Sequence, residues 1–382
     1  MAISVRNLYK NSITMYQMQL VAGEQGINND VSWVHILEEQ DVCRYLEGNE
    51  LVFTCGLKCD SSEWLRQYIE NLIQVGASAL VVNTGQAIRS IPPDILAYCD
   101  EKGFPLFTIP WETRMVDMTK DFCQRILRNE EKEQHEATAM KNILFGAGDL
   151  EEDVATLERY GYPAQGKYMF LVLAYEEGDR REAERERLKG FVERSARFVK
   201  DAFLSFTYDG YRILALVDYT PREQSELLHR LSRSEEAKHW KLRIGVGSQS
   251  GGLEHQRENF QNALSALDLA KRLHKKIIYY EDLGIYKLLT EIRDTQKLEE
   301  YYKATIGKLA EYDTEHQTQL AEILHTYLLS NGSPNVTAEK LYLHRNTVNN
   351  QLKKVEKITG LNPLELEDKL KLYLGFYIQN II

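Results

Sequence analysis

No apolar run in this chain approaches the eighteen or so residues that a membrane-spanning helix needs, so no such helix is expected. The amino terminus lacks a charged stretch followed by an apolar core. No secretory signal is therefore expected, and the cytoplasm is the expected compartment. Cysteine is scarce: the five residues at 43, 55, 59, 99 and 123 are odd in number and confined to the first third. Cys55-x-x-x-Cys59 has neither redox nor zinc-pair spacing, so reduced, structural thiols are expected. No Gly-rich phosphate loop, Ser-His-Asp arrangement or metal-ligand cluster occurs with usable spacing, so no cofactor, metal or catalytic residue is expected. Positive charge is also short. Lys and Arg number 47 against 57 Asp and Glu, and a net charge of −10 argues against a broad nucleic-acid coat.

What is present is length enough for two or three globular domains: 382 residues, 43% apolar and 27% charged. One segment reverses the overall charge. From Val336 to Gly360 there are five basic residues (Lys340, Arg345, Lys353, Lys354, Lys357) against two acidic ones (Glu339, Glu356). Its spacing is that of a helix-turn-helix. Ala338 is small enough for two short helices to cross closely, Leu341 and Leu343 flank the turn, and Val348, Leu352 and Val355 recur at i, i+4 and i+7 as one buried stripe.

At about 100° per residue, the opposite face of the second helix carries Asn346, Asn350, Lys353 and Lys357, with Asn349 and Lys354 at its margins. Asn pairs bidentately with adenine, and Lys supplies the sequence-independent phosphate contact. Arg345 stands at the helix start, where it meets a phosphate or a guanine. The expected DNA-binding residues are His344, Arg345, Asn346, Thr347, Asn349, Asn350, Lys353 and Lys354. A solvated amphipathic helix pair is the competing reading.

Residues 312–382 resemble the carboxy-terminal helix-turn-helix of the PucR/CdaR family of bacterial transcription regulators. The likeness rests on Tyr312-Asp313, Tyr327-Leu328-Leu329-Ser330-Asn331-Gly332, Leu343-His344-Arg345-Asn346-Thr347 and Ile358-Thr359-Gly360. The chain departs from that family at Asn350 and Gln351, where an aromatic residue and an Arg are usual.

Residues 1–127 alternate buried strands (Leu51–Thr54, Ala79–Val82, Leu106–Ile109) with helical segments (Glu63–Val75, Pro93–Lys102), which implies a parallel sheet covered on both faces. The segment resembles the sensory domain of the same family through Val21-Ala22-Gly23, Val31-Ser32-Trp33-Val34, Gly48-Asn49-Glu50-Leu51-Val52 and Gly103-Phe104-Pro105-Leu106. A small-molecule effector is expected at the carboxyl ends of the parallel strands, where backbone donors converge, at Thr54, Gly56, Asn83, Thr84 and Gly85. The alternative is that these glycines only close turns. The side chains of Glu38 and Glu39 are further candidates for that edge.

A helix-favouring stretch from Asp117 to Phe145 carries an interrupted apolar seam that weakens at Asn129–Glu133, as a connecting helix does. From Lys167 to Tyr286 the order reads strand (Tyr168–Tyr175), helix (Glu182–Val199), strand (Phe203–Tyr208), strand (Tyr211–Val217), helix (Pro221–Ala237), strand (Leu242–Val246), helix (Leu253–His274) and strand (Lys276–Tyr280), with Asp209-Gly210 as a hairpin signal. The pattern resembles the GGDEF-like domain of CdaR-type regulators through Ile244-Gly245-Val246-Gly247 and Ala263-x-x-Ala266-Leu267-x-x-Ala270. A diguanylate cyclase would need paired glycines and carboxylates holding Mg²⁺. The hairpin here, Thr207-Tyr208-Asp209-Gly210-Tyr211, has a single carboxylate. Glu176, Glu177 and Asp179 follow the first strand and read as a solvated loop.

The expected fold is therefore multidomain α/β and α+β: a parallel-sheet sensor over 1–127, a linker helix over 128–148, a cyclase-like (ferredoxin-like) domain over 149–286, and an all-α helix-turn-helix region over 287–382. Thr314–Leu329 is expected as a scaffold helix. A last helix from about Leu364 to Gln379 places Leu366, Leu370, Tyr373, Leu374 and Tyr377 on one face, towards the DNA-binding core. The expected function is a non-enzymatic, one-component regulator that binds a two-fold DNA operator as a homodimer and responds to a metabolite. A nucleotide-cyclising enzyme and a protein-interaction scaffold are the alternatives.

Overall fold

A computed structural model describes residues 3–175, 182–292 and 294–382, without the side chains of 182–184 and 236. The chain divides into two compact units, Met1–Leu242 with Gln249–Phe260, and Arg243–Ser248 with Gln261–Ile382.

The first unit opens with β1 (Ile3–Ser4), α1 (Val5–Tyr16), β2 (Gln19–Ala22), β3 (Asp30–Val31), β4 (Trp33–Ile36), β5 (Glu50–Thr54), α2 (Ser62–Val75), β6 (Ala79–Thr84), α3 (Pro93–Lys102) and β7 (Leu106–Pro110). Five strands form a sheet in the order β2-β7-β6-β5-β4. The four from β4 to β7 are parallel, and β2 adds an antiparallel edge that the strand-helix alternation did not disclose. Pleating sends Leu51, Phe53, Ala79, Val81, Phe107 and Ile109 to one face, and Val52, Leu80, Val82 and Leu106 to the other, where α2 and α3 cover them. All five cysteines are free. Burial pushes the Cys43 thiol up to about 11 and the Cys99 thiol up to about 12, so both stay protonated at neutral pH.

The first face is covered by α1 and by α4 (Met115–Phe145), which is one continuous helix of 31 residues. Its first half buries Met118, Phe122 and Ile126 in the sheet core, and its second half buries Ala139, Met140, Ile143 and Leu144. The polar middle stays helical because its side chains are answered. Asn129 donates to Glu133 at 2.8 Å, and the buried Glu136 pairs with Lys132 at 3.3 Å and accepts from the Tyr162 hydroxyl at 3.3 Å. At its end, Phe145 stacks on Tyr208 with ring centroids 4.5 Å apart.

The chain continues through α5 (Leu150–Arg159), β8 (Lys167–Ala174), α6 (Glu182–Val199), β9 (Phe203–Tyr208), β10 (Tyr211–Val217), α7 (Pro221–Arg233), α8 (Glu235–His239), β11 (Arg243–Val246) and β12 (Ser250–Gly251). Antiparallel β10 pairs with β8 and β9, and Asp209 (φ 48°) with Gly210 (φ 78°) forms the two-residue mirror-image turn that their identities foretold. The single helix expected over Pro221–Ala237 is two, because Ser234 is extended and its hydroxyl accepts from Ala237 N at 3.1 Å, capping a new start. The helix α6 ties the regions of this unit together. Its Arg197 and Arg194 lie 2.9 and 3.6 Å from the buried Asp30 carboxylate of β3, and its fully buried Glu193 pairs with Arg212 of the hairpin.

In the second unit β11 pairs in parallel with β13 (Ile277–Tyr279), and the helix α9 (Gln256–Arg272) packs so closely on β11 that a Cβ at Gly245 would lie 2.2 Å from the Ala263 carbonyl. Then follow α10 (Tyr286–Thr290), α11 (Thr295–Tyr302), α12 (Lys308–His316), α13 (Leu320–Leu329), α14 (Pro334–Lys340), α15 (Arg345–Thr359) and α16 (Leu366–Gln379). The scaffold helix expected over Thr314–Leu329 is interrupted at Gln317 (φ 50°). Asp313 makes the break, accepting from Thr318 Oγ1 at 2.6 Å and from the Leu320 and Ala321 amides at 2.8 Å each. The expected face of the last helix is also corrected. Leu366 and Leu370 are 73% and 61% exposed, while Leu372 and Phe376 enter the core formed with Leu324, Tyr327, Val348, Leu352 and Val355.

Candidate nucleic-acid interface

Ser333 caps α14, its hydroxyl accepting from Val336 N, and Pro334 occupies the first helical turn, where its missing N–H has no partner to lose. Ala338 and Thr337 are buried, which lets α14 cross α15 closely. The turn is closed by Leu343 N donating to the Ala338 carbonyl at 2.8 Å, with Tyr342 in the left-handed region at φ 54°. The stripe Val348, Leu352 and Val355 is buried, as its spacing required.

On the outer side of α15, Arg345, Asn346, Asn350, Lys353, Lys354 and Lys357 are exposed, and Asn349 is half-buried at the margin. Among the described residues no carboxylate lies within ion-pair distance of Arg345, Lys353, Lys354 or Lys357. His344 is the cap of α15, its Nδ1 accepting from Asn346 N at 3.2 Å, which leaves Nε2 as its outward atom. Its place just before the helix was visible in the sequence; its capping role was not read. Thr347 and Gln351 turn sideways into a hollow of about 460 Å³ lined also by Thr318, Gln319, Leu341 and Leu343. There the Gln351 Oε1 atom is buried without a hydrogen-bond partner.

The five residues expected at an effector site are near one sheet edge but are not gathered on one side of it. Thr54 follows Val52 on the face covered by α2 and α3, whereas Asn83 follows Val81 on the face covered by α4. Glu38 does reach this edge. Its carboxylate accepts from Cys55 N at 2.7 Å, Leu57 N at 2.9 Å and Thr54 Oγ1 at 3.2 Å. Gly56 (φ 68°) abuts Ile88, Gly85 abuts Trp111, and Thr84 Oγ1 donates to the Ile109 carbonyl at 3.2 Å. Asn83 is buried with Oδ1 unpartnered. Glu176, Glu177 and Asp179 lie outside the described residues, among which no group of three or more His, Cys, Asp or Glu is arranged to hold a metal.

Comparison with known proteins places three family matches along the chain. Residues 7–126 match the purine catabolism regulatory protein-like family, residues 146–269 the GGDEF-like domain, and residues 320–378 the PucR carboxy-terminal helix-turn-helix domain. The DNA-binding transcriptional activator AdeR of Bacillus subtilis is 26% identical over 36% of this chain and 33% of its own length. The proline-responsive transcriptional activator PutR of the same organism is 30% identical over 35% of this chain and 34% of its own. The purine catabolism regulatory protein of Bacillus subtilis is 26% identical over 31% of this chain and 22% of its own. The chain thus spans about a third or less of the length of these curated relatives.

Proposed function

We propose that this chain, which carries the PucR-type amino-terminal, GGDEF-like and helix-turn-helix domains in that order, is a metabolite-responsive, sequence-specific DNA-binding transcription regulator. The observation that carries the reading is the outer face of α15, where exposed amides alternate with cations that no carboxylate of the described residues answers. Asn346 and Asn350 read base edges. Arg345, Lys353 and Lys354 hold phosphates, with His344, Thr347 and Asn349 along the rim of the contact.

One helix-turn-helix reads one half-site, so a homodimer on a two-fold operator is the working state. Leu366 and Leu370, one turn apart and exposed, offer an apolar seam for pairing two copies. The division into 1–127, 128–148, 149–286 and 287–382 assigns sensing, connection, relay and reading to successive parts. Sensing falls to the sheet edge bearing Thr54, Gly56, Asn83, Thr84 and Gly85. Because relatives include a proline-responsive activator and a purine catabolism regulator, the first metabolites to try on the full chain are purines, their breakdown products and amino acids. The cytoplasm is its place of work, and no helix among the described residues is long and apolar enough to cross a membrane.

The GGDEF-like region serves as a relay and not as an enzyme, since its Asp209-Gly210 turn offers one carboxylate. GTP with Mg²⁺ or Mn²⁺ should give no cyclic dinucleotide above a heat-killed control. The regulator itself is tested by a gel shift on DNA flanking its own gene against random DNA of equal length. A shift on the flanking DNA at salt that abolishes the random complex supports it, and equal affinity for both removes it.

A further inference from the structure

Tyr342 is the most exposed large apolar side chain of the described residues, at 96%, and it sits in the turn between α14 and α15 with φ 54°. An aromatic residue is a poor choice for that backbone region, which Gly or Asn occupies with less strain. Nothing among the described residues compensates for it. Its hydroxyl has no hydrogen-bond partner among the described residues, and its ring takes no part in the core to which Leu341 beside it contributes. The turn itself needs only the backbone, through Tyr342 N to the Glu339 carbonyl at 3.3 Å and Leu343 N to the Ala338 carbonyl at 2.8 Å.

A strained, fully solvated aromatic residue at the entrance of α15 therefore serves something outside the chain. Its neighbours say what. Exposed Glu339 and Lys340 precede it, and exposed His344, Arg345 and Asn346 follow, so that Lys340, His344, Arg345 and Asn346 stand against a single carboxylate. A phenol in that company is a neutral hydrogen-bond donor suited to a phosphate oxygen. We propose that Tyr342 is a positioning residue of the DNA interface, its hydroxyl donating to a backbone phosphate beside the half-site and so setting the register of α15 in the groove. The assignment rests on the DNA-binding reading above.

The contact has a signature that a lysine's does not. A neutral donor displaces no condensed counterion, so its loss lowers affinity without changing the salt slope. The test uses the full chain with operator and random DNA, comparing wild type, Tyr342→Phe, Tyr342→Gly and Lys353→Ala. Tyr342→Phe should weaken both complexes about tenfold, the factor of a hydrogen bond to a charged group, with the slope of log K against log salt unchanged. Tyr342→Gly should bind as weakly while melting at a higher temperature than wild type, because glycine relieves the turn. That rise also rules out misfolding as the cause of lost binding. Wild-type affinity in Tyr342→Phe, or a slope that falls in it as in Lys353→Ala, would overturn the assignment. Absence of salt-dependent binding by wild type itself would instead remove the DNA reading, and the role of Tyr342 with it.

Discussion

Arg212 and Lys353 are both cations carried on regular secondary structure, yet the chain treats them in opposite ways. Arg212, on the hairpin strand β10, is nearly buried against the carboxylate of Glu193, which is wholly inaccessible, and it also donates to Thr207 Oγ1 at 3.2 Å. Arg194 and Arg197 on the adjoining helix are answered in the same way by Asp30. Lys353 stands in solvent with Lys354 and Lys357 beside it, and no carboxylate of the described residues meets it. Buried charge must be paired because desolvation is costly, whereas exposed charge need not be, so folding demands a partner for Arg212 and none for the cations of α15. In a chain of net charge −10, that cluster is locally basic, the charge that suits an anionic polymer.

The largest effect should come from breaking the buried side of this contrast. Glu193→Gln leaves Arg212 buried without its counter-charge and should cost about 3–5 kcal/mol of stability at pH 7 in chemical denaturation. Burial alone would push the Glu193 carboxyl up, but the Arg212 guanidinium outweighs it and holds the group below its ordinary 4.5. A depressed carboxyl stabilises above its unfolded value and loses that contribution as pH falls through the folded one. The gap between wild type and variant should therefore be full at pH 7 and close below about pH 4.5. A gap that widens on acidification would contradict the pairing.

Next in size are the readers on the exposed side. Asn346→Ala or Asn350→Ala should cost about 1–3 kcal/mol on the specific site with little change on random DNA, measured by fluorescence anisotropy at matched salt. Equal losses on both DNAs would show that these amides do not read bases. The smallest effect belongs to a single cation. Lys353→Ala should weaken both complexes, flatten the salt slope by about one unit and leave stability within about 0.5 kcal/mol of wild type. A large loss of stability would mean that the charge has a structural partner after all.

The parts of this architecture legible in the sequence were those that local chemistry decides. The stripe Val348, Leu352 and Val355 placed α15, Asp209-Gly210 placed the hairpin, and the absence of Pro and Gly up to Gly146 carried α4 across its weak middle. Three features were not legible. The edge strands β2 and β4 are four residues each and half solvent-facing, so their alternation is too short to register. The break between α12 and α13 depends on one carboxylate folding back on amides seven and eight residues ahead, which no helical periodicity reveals. For α16, the spacing of Leu366 and Leu370 marked a face that stays exposed while Leu372 and Phe376 enter the core, because periodicity says that an apolar face exists and not which face the neighbours cover. At the proposed effector edge, sequence reasoning reached the strand ends and no further. Strand ends were located, but the pleat that separates Thr54 from Asn83, and the Glu38 carboxylate held by Cys55 N and Leu57 N, are tertiary facts.

On the proposed function, the positive charge of α15 is held for DNA and contributes nothing to folding. That claim is tested most directly by reversing two of those charges together, Lys353→Glu with Lys354→Glu, in the full chain. The melting temperature and near-ultraviolet circular dichroism should match wild type while binding to operator and random DNA is lost together. Retained DNA binding in a folded double variant would contradict the claim, and so would a collapse of the fold.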